Sequence, residues 1–406
     1  MAITFHDHVL PNGLRIAAEV DPDAHSAAVG FFVRTGARDE STEEMGVSHF
    51  LEHMMFKGST QRTGEQVDRD LDDLGGRHNA YTSAETTAFH VHCLPESLPE
   101  ASDILADILR PALRESDFDD EKKVILEEIA MYEDQPFWRL YERASEVYYG
   151  THPLGHRVLG TSDSVSGLSC DRMRRYFEQR YSADNTVVAM AGALDFDAMV
   201  GRLESACGDW ARTDTERMYQ EMTHSETAFT EACDRINRDY MLMLAPAPAV
   251  QDNRRHAAAL MAWILGSADG SRLYWSLIET GQAEAAQAQY EGRDRTGQFL
   301  IWCICDPETA DEVETTIRQE IDNLVSSITE DDLERVRAKA ATAITLHGEL
   351  PAGRMQRLGR LLMTQDDWIP LEDELDRICR VTTQDIAEVA DEYPMTPVVT
   401  GHLRGS

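Results

Sequence analysis

The second half of this 406-residue chain is a worn copy of the first. Phe89-His-Val-His-Cys-Leu-Pro95-Glu96 leads into an amphipathic segment and then into Phe118-Asp-Asp-Glu121. Leu300-Ile-Trp-Cys-Ile-Cys-Asp-Pro307-Glu308 leads into another, followed by Glu330-Asp-Asp-Leu333. The offset between the prolines is 307 − 95 = 212 residues. A second echo closes each half. Ser169-Cys-Asp171 opens a helical segment ending at Tyr181, before Thr186-Val-Val-Ala-Met-Ala-Gly192; Thr382-Thr-Gln-Asp385 opens one ending at Tyr393, before Pro397-Val-Val-Thr-Gly401. Here the offset is 399 − 188 = 211. A repeat this long means two related domains, each closing a core of its own. The spans read as 1–214 and 227–406, joined by a polar, acidic linker over 215–226. Alternating runs such as Leu14–Val20 and Ala28–Val33 are mixed with helical periodicity, without a regular strand–helix alternation. The expectation is an α+β fold: two similar domains, each a mostly antiparallel sheet packed with helices.

Chemistry concentrates in the first half. His49-Phe-Leu-Glu52-His53 is an HxxEH pattern. Val47, Phe50, Leu51, Met54 and Met55 recur at helical spacing as an apolar stripe, with His49 and His53 one turn apart on the opposite side. Two imidazoles at i and i+4 on one face can bind one zinc ion, and Glu52 can reach a metal-bound water without ligating. The alternative is a surface helix carrying two solvated histidines. A catalytic zinc normally has a third protein ligand. In Asp120-Glu121-Lys-Lys-Val-Ile-Leu-Glu127-Glu128-Ile-Ala-Met-Tyr132, helical phase separates the two adjacent glutamates. Glu128 and Glu121 fall within the apolar arc of Val124, Ile125, Ile129, Met131 and Tyr132, whereas Glu127 points to solvent. A carboxylate turned into a packed side is costly unless paired or metal-bound. Glu128 is therefore the expected third ligand and Glu121 a helper acid. In the second half the corresponding stretch, Ala257–Leu265, is apolar and holds no histidine, so one zinc per chain is expected.

Other histidine and cysteine pairs read as structural. His90 and His92 alternate along a strand-like run, His152 and His156 flank a Pro and a Gly in a loop, and Cys303 and Cys305 share one face of an apolar strand. Seven cysteines fit neither a disulfide framework nor a CxxC zinc pattern.

Taken together, Leu10-Pro-Asn-Gly13, Gly46-Val-Ser-His-Phe-Leu-Glu-His53, Asn79-Ala80, Ile125-Leu-Glu-Glu128, His152-Pro-Leu-Gly155, Tyr181, Asn185 and Gly270-Ser-Arg-Leu273 resemble the pitrilysin/insulinase family of inverzincins. Its mitochondrial-processing-peptidase-like, two-domain branch is the nearest. The resemblance implies a zinc-dependent endopeptidase that digests unfolded or extended peptides in an enclosed chamber, with Glu52 as general base and Glu121 assisting. Gly75-Gly-Arg-His-Asn79-Ala80-Tyr-Thr82 resembles the family's substrate strand, which implies Asn79 and Ala80 as substrate-binding residues; the alternative there is an ordinary hairpin. One departure stands out. The family's Arg and Tyr after the Ser-Arg-Leu segment, which help hold the substrate carbonyl, are missing: Ile278 to Tyr290 contains no Arg, and Tyr290 is displaced. This keeps open a second reading, a non-catalytic or partner-dependent subunit of a processing-peptidase-like heterodimer.

The charge balance narrows the partners. The 73 acidic residues outnumber 38 basic ones, a formal net of −35, and only positions 57, 122, 123 and 339 are lysine. Such a chain repels nucleic acid and anionic membrane and suits cationic peptides or a salty cytosol. No apolar run approaches the ~18 residues of a membrane span. The start, MAITFHDHVLPNG, lacks a basic stretch followed by an apolar one, so a cytoplasmic location is expected. Two domains alone cannot enclose a peptide as a four-domain relative does; a two-fold homodimer is expected, with a heterodimer as the alternative.

Overall fold

The structure, a computed structural model, describes residues 3–224 and 226–405. It divides into two compact units. One comprises Met1–Ala130, His156–Gln220 and Leu346–Trp368; the other comprises Met131–Gly155, Glu221–Thr345 and Ile369–Ser406.

The first unit is built on a six-stranded sheet of β1 (Thr4–Val9), β2 (Arg15–Val20), β3 (Ala27–Val33), β4 (Arg77–Thr82), β5 (Thr87–Cys93) and β6 (Thr186–Gly192), ordered β1-β2-β6-β3-β5-β4. The second has five strands, β7 (Thr227–Cys233), β8 (Asp239–Pro246), β9 (Ala283–Arg293), β10 (Thr296–Cys305) and β11 (Val399–Gly405), ordered β7-β11-β8-β10-β9. With β1 set aside, the two orders correspond strand for strand. Each has one parallel pair, β2 with β6 and β7 with β11, and is otherwise antiparallel. The expected pair of similar α+β domains with mostly antiparallel sheets is what forms. Cys303 and Cys305 lie buried on β10, as their alternation predicts.

Neither unit is a contiguous half. Helix Pro136–Tyr149 comes from the first half of the chain but belongs to the second unit, and its counterpart, helix Pro351–Gln365, belongs to the first. The exchanged helix completes a core. Met355, Leu358 and Leu362 pack on Ala17, Ala28, Phe32, Ala88 and Ala189. A Cβ on Gly359 would lie 2.3 Å from the Phe32 ring, so only glycine permits this approach. Buried Glu19 of β2 fixes the same helix and its exit: Arg354 donates to it at 3.0 Å and the Trp368 indole at 2.9 Å. In the second unit, Tyr149 at the end of the other exchanged helix donates to Gln298 of β10 at 2.7 Å. This covering explains a departure from the sequence pattern. β3 and β6 are buried along their whole length, on both faces, where the expected alternation allows one solvated face.

Candidate metal centre

The HxxEH residues lie on helix Val47–Met55, packed against the sheet of the first unit. The helix differs from the amphipathic expectation in one respect. Val47, Phe50, Leu51, Met54 and Met55 are buried, but so are Ser48 and His49, leaving only Glu52 and His53 partly accessible. A surface helix with two solvated histidines is thereby excluded. The second carboxylate source is helix Glu115–Glu133, whose inward stripe is Phe118, Glu121, Ile125, Glu128, Ile129 and Tyr132. Val124 and Met131, read from sequence as part of that arc, are exposed; Glu127 is exposed as expected. The stripe follows i, i+3, i+4 spacing more strictly than apolar character does, which is why two apolar residues fall outside it and two carboxylates inside.

These helices bring His49, His53 and Glu128 together: one donor atom from each lies within 4.8 Å of the other two. Glu128 Oε2 stands 3.8 Å from His49 Nε2 and 3.7 Å from His53 Nε2. Those separations are too long for hydrogen bonds. The donors converge without satisfying one another. Burial, then the neighbouring His53, pushes the His49 imidazole down to about 3, so it is neutral and offers a lone pair at physiological pH. A two-nitrogen, one-carboxylate set of this kind suits zinc with an open position.

The surroundings orient two of the motif residues. Glu121 is buried, and its Oε1 meets His53 Nδ1 at 2.8 Å while its Oε2 meets Lys57 Nζ at 2.5 Å. Burial alone would raise the Glu121 carboxyl; the bonds to Lys57 and His53 outweigh it and hold the group below its usual range. A carboxylate on the far nitrogen of a ligating histidine fixes its tautomer and aim. Glu52 does not join the three-donor cluster, but it is close enough to feel His53 and Glu128. Burial chiefly raises its carboxyl, and the Thr82 hydroxyl, donating to Oε2 at 2.7 Å, pulls the other way.

Thr82 ends β4, and β4 is an edge strand of its sheet. Ser83 N–H donates to Thr86 O across the β4–β5 turn. Antiparallel alternation then turns the backbone groups of Arg77, Asn79 and Tyr81 toward β5 and leaves those of His78, Ala80 and Thr82 on the free edge. The side chains of Ala80 and Thr82 share the face toward the motif helix; Asn79 points to the other face and is exposed. His90 and His92 are strand residues of β5, and His152 and His156 flank a single turn at Pro153–Gly155.

Three neighbours carry no motif signal. Thr82 reaches Glu52 only because β4 passes beside the helix. Lys57 is notable in sequence solely as one of four lysines. Glu40 is buried and binds two backbone N–H groups at the start of the motif helix.

Comparison with known proteins places the chain's sequence and fold among the following relatives. The sequence profile described as Insulinase (Peptidase family M16) matches residues 15–162, and that of the Peptidase M16 inactive domain matches residues 167–340. An uncharacterized zinc protease of Streptomyces coelicolor is 30% identical over 94% of this chain and 85% of its own length. A protein of Arabidopsis thaliana named a probable mitochondrial-processing peptidase subunit beta is 29% identical over 95% of this chain and 75% of its own. The crystal structure of a protease from Helicobacter pylori shares the fold, with a TM-score of 0.93 at 19% identity over 100% of both chains.

Proposed function

We propose, for a chain that belongs to the insulinase family (peptidase family M16), the activity of a zinc-dependent endopeptidase acting on extended or unfolded peptides. The observation that carries the proposal is the convergence of His49, His53 and Glu128 beside an unligated glutamate, Glu52, held by Thr82. His49 Nε2, His53 Nε2 and the Glu128 carboxylate would hold one zinc ion per chain. When bound, zinc supplies Lewis acidity and a water of lowered pKa. The chain's own residues supply the rest. Glu121 keeps His53 turned toward the centre. Glu52 Oε2 is occupied by the Thr82 hydroxyl, so Oε1 is the oxygen that takes a proton and returns it to the leaving amine. Its burial-raised carboxyl makes it a stronger base than a solvated glutamate. A peptide would add to the free edge of β4 through its backbone, opposite His78, Ala80 and Thr82, with little side-chain selection. The excess of 73 acidic over 38 basic residues favours cationic peptides. Two such chains form a two-fold homodimer in this reading.

The test is a pair of substitutions on full-length protein. Glu52→Gln is expected to keep zinc and lose ~10²- to 10⁴-fold in peptide hydrolysis, the usual contribution of a general base. Glu128→Gln is expected to lose zinc while Glu127→Gln keeps it. Equal zinc in the wild type and Glu128→Gln sinks the ligand assignment. A second reading, the partner-dependent subunit, is favoured by one observation. Tyr290, the displaced tyrosine at the end of the Ile278–Tyr290 stretch, spends its hydroxyl on the Pro248 carbonyl at 2.9 Å. A fully zinc-loaded wild type that cleaves no peptide of a mixed library would select that reading.

A further inference from the structure

The two histidines of the centre are aimed in different ways. His53 is oriented through its ring, by the bond from Nδ1 to Glu121. His49 has no such support: its buried Nδ1 has no hydrogen-bond partner among the described residues. Its aim therefore depends on packing and on how the motif helix is seated. That seat is unusual. The helix is nine residues long and starts after Gly46, which has no side chain to cap it, and its first turn carries no acidic residue. A capping Ser or Asp cannot replace Gly46: its φ is +93°, and a Cβ there would lie 2.6 Å from the Leu159 carbonyl oxygen. The cap comes from outside the helix. Glu40 Oε2 accepts from the Gly46 N–H at 2.7 Å, and Oε1 accepts from the Ser48 N–H at 2.8 Å. Ser48 immediately precedes His49.

We infer that Glu40 is a positioning residue for the His49–His53–Glu128 centre, its two-oxygen cap fixing the rotation of the motif helix and so the direction of the His49 ring. The inference rests on the metal-centre reading proposed above. Glu40 can act as a fixed point because its own segment is locked. Asp39, beside it, receives Arg217 Nε at 3.0 Å and Nη2 at 2.8 Å, and the same guanidinium donates to the Glu85 carbonyl at 2.7 Å. From the other side, the Ser48 hydroxyl is 2.8 Å from the Tyr176 hydroxyl, itself 2.7 Å from Thr35 Oγ1. The first turn is thus held at two backbone donors and one side chain. Burial raises the Glu40 carboxyl to about 8, against the pull of these N–H groups, yet both of its oxygens accept from them; an amide of the same shape must turn a donor toward one of the two.

The experiment compares wild type, Glu40→Gln, Glu40→Asp and Glu19→Gln as full chains, by chelator competition for zinc and by the visible spectrum of the cobalt(II)-substituted protein. Glu19 is the control: it is equally buried in the same unit but holds the exchanged helix and touches no part of the centre. Glu40→Gln is expected to bind zinc ~10- to 100-fold more weakly, the range for groups that orient ligands, with an altered cobalt spectrum and kcat falling more than KM rises. Glu40→Asp, which keeps the carboxyl group one methylene short, is expected to fall between. Glu19→Gln is expected to melt earlier with unchanged zinc affinity and spectrum. A folded Glu40→Gln with wild-type affinity and spectrum overturns the inference; if it does not fold, the same criterion applies to Glu40→Asp. A wild type that binds no zinc overturns the metal-centre reading instead.

Discussion

Glu121 and Glu128 stand two turns apart on one helix, yet their surroundings give them different tasks. Glu128 reaches the two imidazole nitrogens at distances no hydrogen bond spans, while Glu121 is consumed by His53 on one oxygen and Lys57 on the other. Replacing Glu121 by Gln removes the charge that pairs with Lys57 and weakens the hold on the His53 ring. Zinc affinity is expected to fall ~10- to 100-fold without complete loss of metal, measured by chelator competition. An unchanged affinity would mean His53 is aimed by packing alone. The choice of Glu128 over Glu127 was legible because helical phase turns adjacent residues ~100° apart. Lys57 and Thr82 were not legible, because each meets its partner across a distance in sequence that only the fold closes.

At the scale of elements, the free edge of β4 and the lost chemistry of the second half each make a prediction. Ala80 points its backbone to the open edge in the pairing register. Ala80→Pro removes that N–H without touching the β5 ladder. For extended peptides, kcat/KM is expected to drop about tenfold or more while zinc content stays constant. A drop equal to that of Ala80→Gly would point to side-chain packing instead. Helix Arg255–Gly266 occupies the place of the motif helix in the second unit and, where the other carries ligands, buries all of Ala257 to Leu265 except Ala259 and Trp263. At its start His256 is buried, and burial, then Arg255, pushes it down to about 4. Because the folded value lies below the unfolded ~6.5, the unfolded chain binds more protons between these pH values. Stability is therefore fully present above pH ~6.5 and falls by up to ~1.4 kcal/mol per unit on acidification toward pH 4. His256→Leu should flatten that part of the denaturant midpoint against pH; an unaltered slope would assign the acid sensitivity elsewhere.

For the whole molecule, the exchanged helices decide what can fold alone. A fragment of residues 1–220 contains every strand of the first sheet but lacks helix Pro351–Gln365, which covers Phe32 and its alanine neighbours. Expressed alone it is expected to aggregate or melt without cooperativity, and to gain a cooperative transition when co-expressed with 221–406. A monomeric 1–220 with a sharp thermal transition would show that the helix is dispensable. The proposed homodimer is checked by light scattering on the purified chain at micromolar concentration. A mass near 45.6 kDa, that of one chain, would refute it.

What the sequence determined by itself is whatever depends on short separations or on repetition. The 212-residue echo predicted two like sheets, i, i+4 spacing paired His49 with His53, and phase chose Glu128. What only the tertiary structure decided lies in contacts between distant segments. The exchanged helix Pro351–Gln365 covers β3 and β6, which are buried along their whole length. Local alternation does not foretell this, because periodicity reports the faces of an element and not what later covers them. The Glu40 cap spans only six residues to Gly46, yet it too was settled by the fold. Nothing in the composition of that loop says which way a carboxylate turns; the left-handed Gly46 and the locked Asp39 turn it inward, onto the first N–H groups of the helix that carries His49.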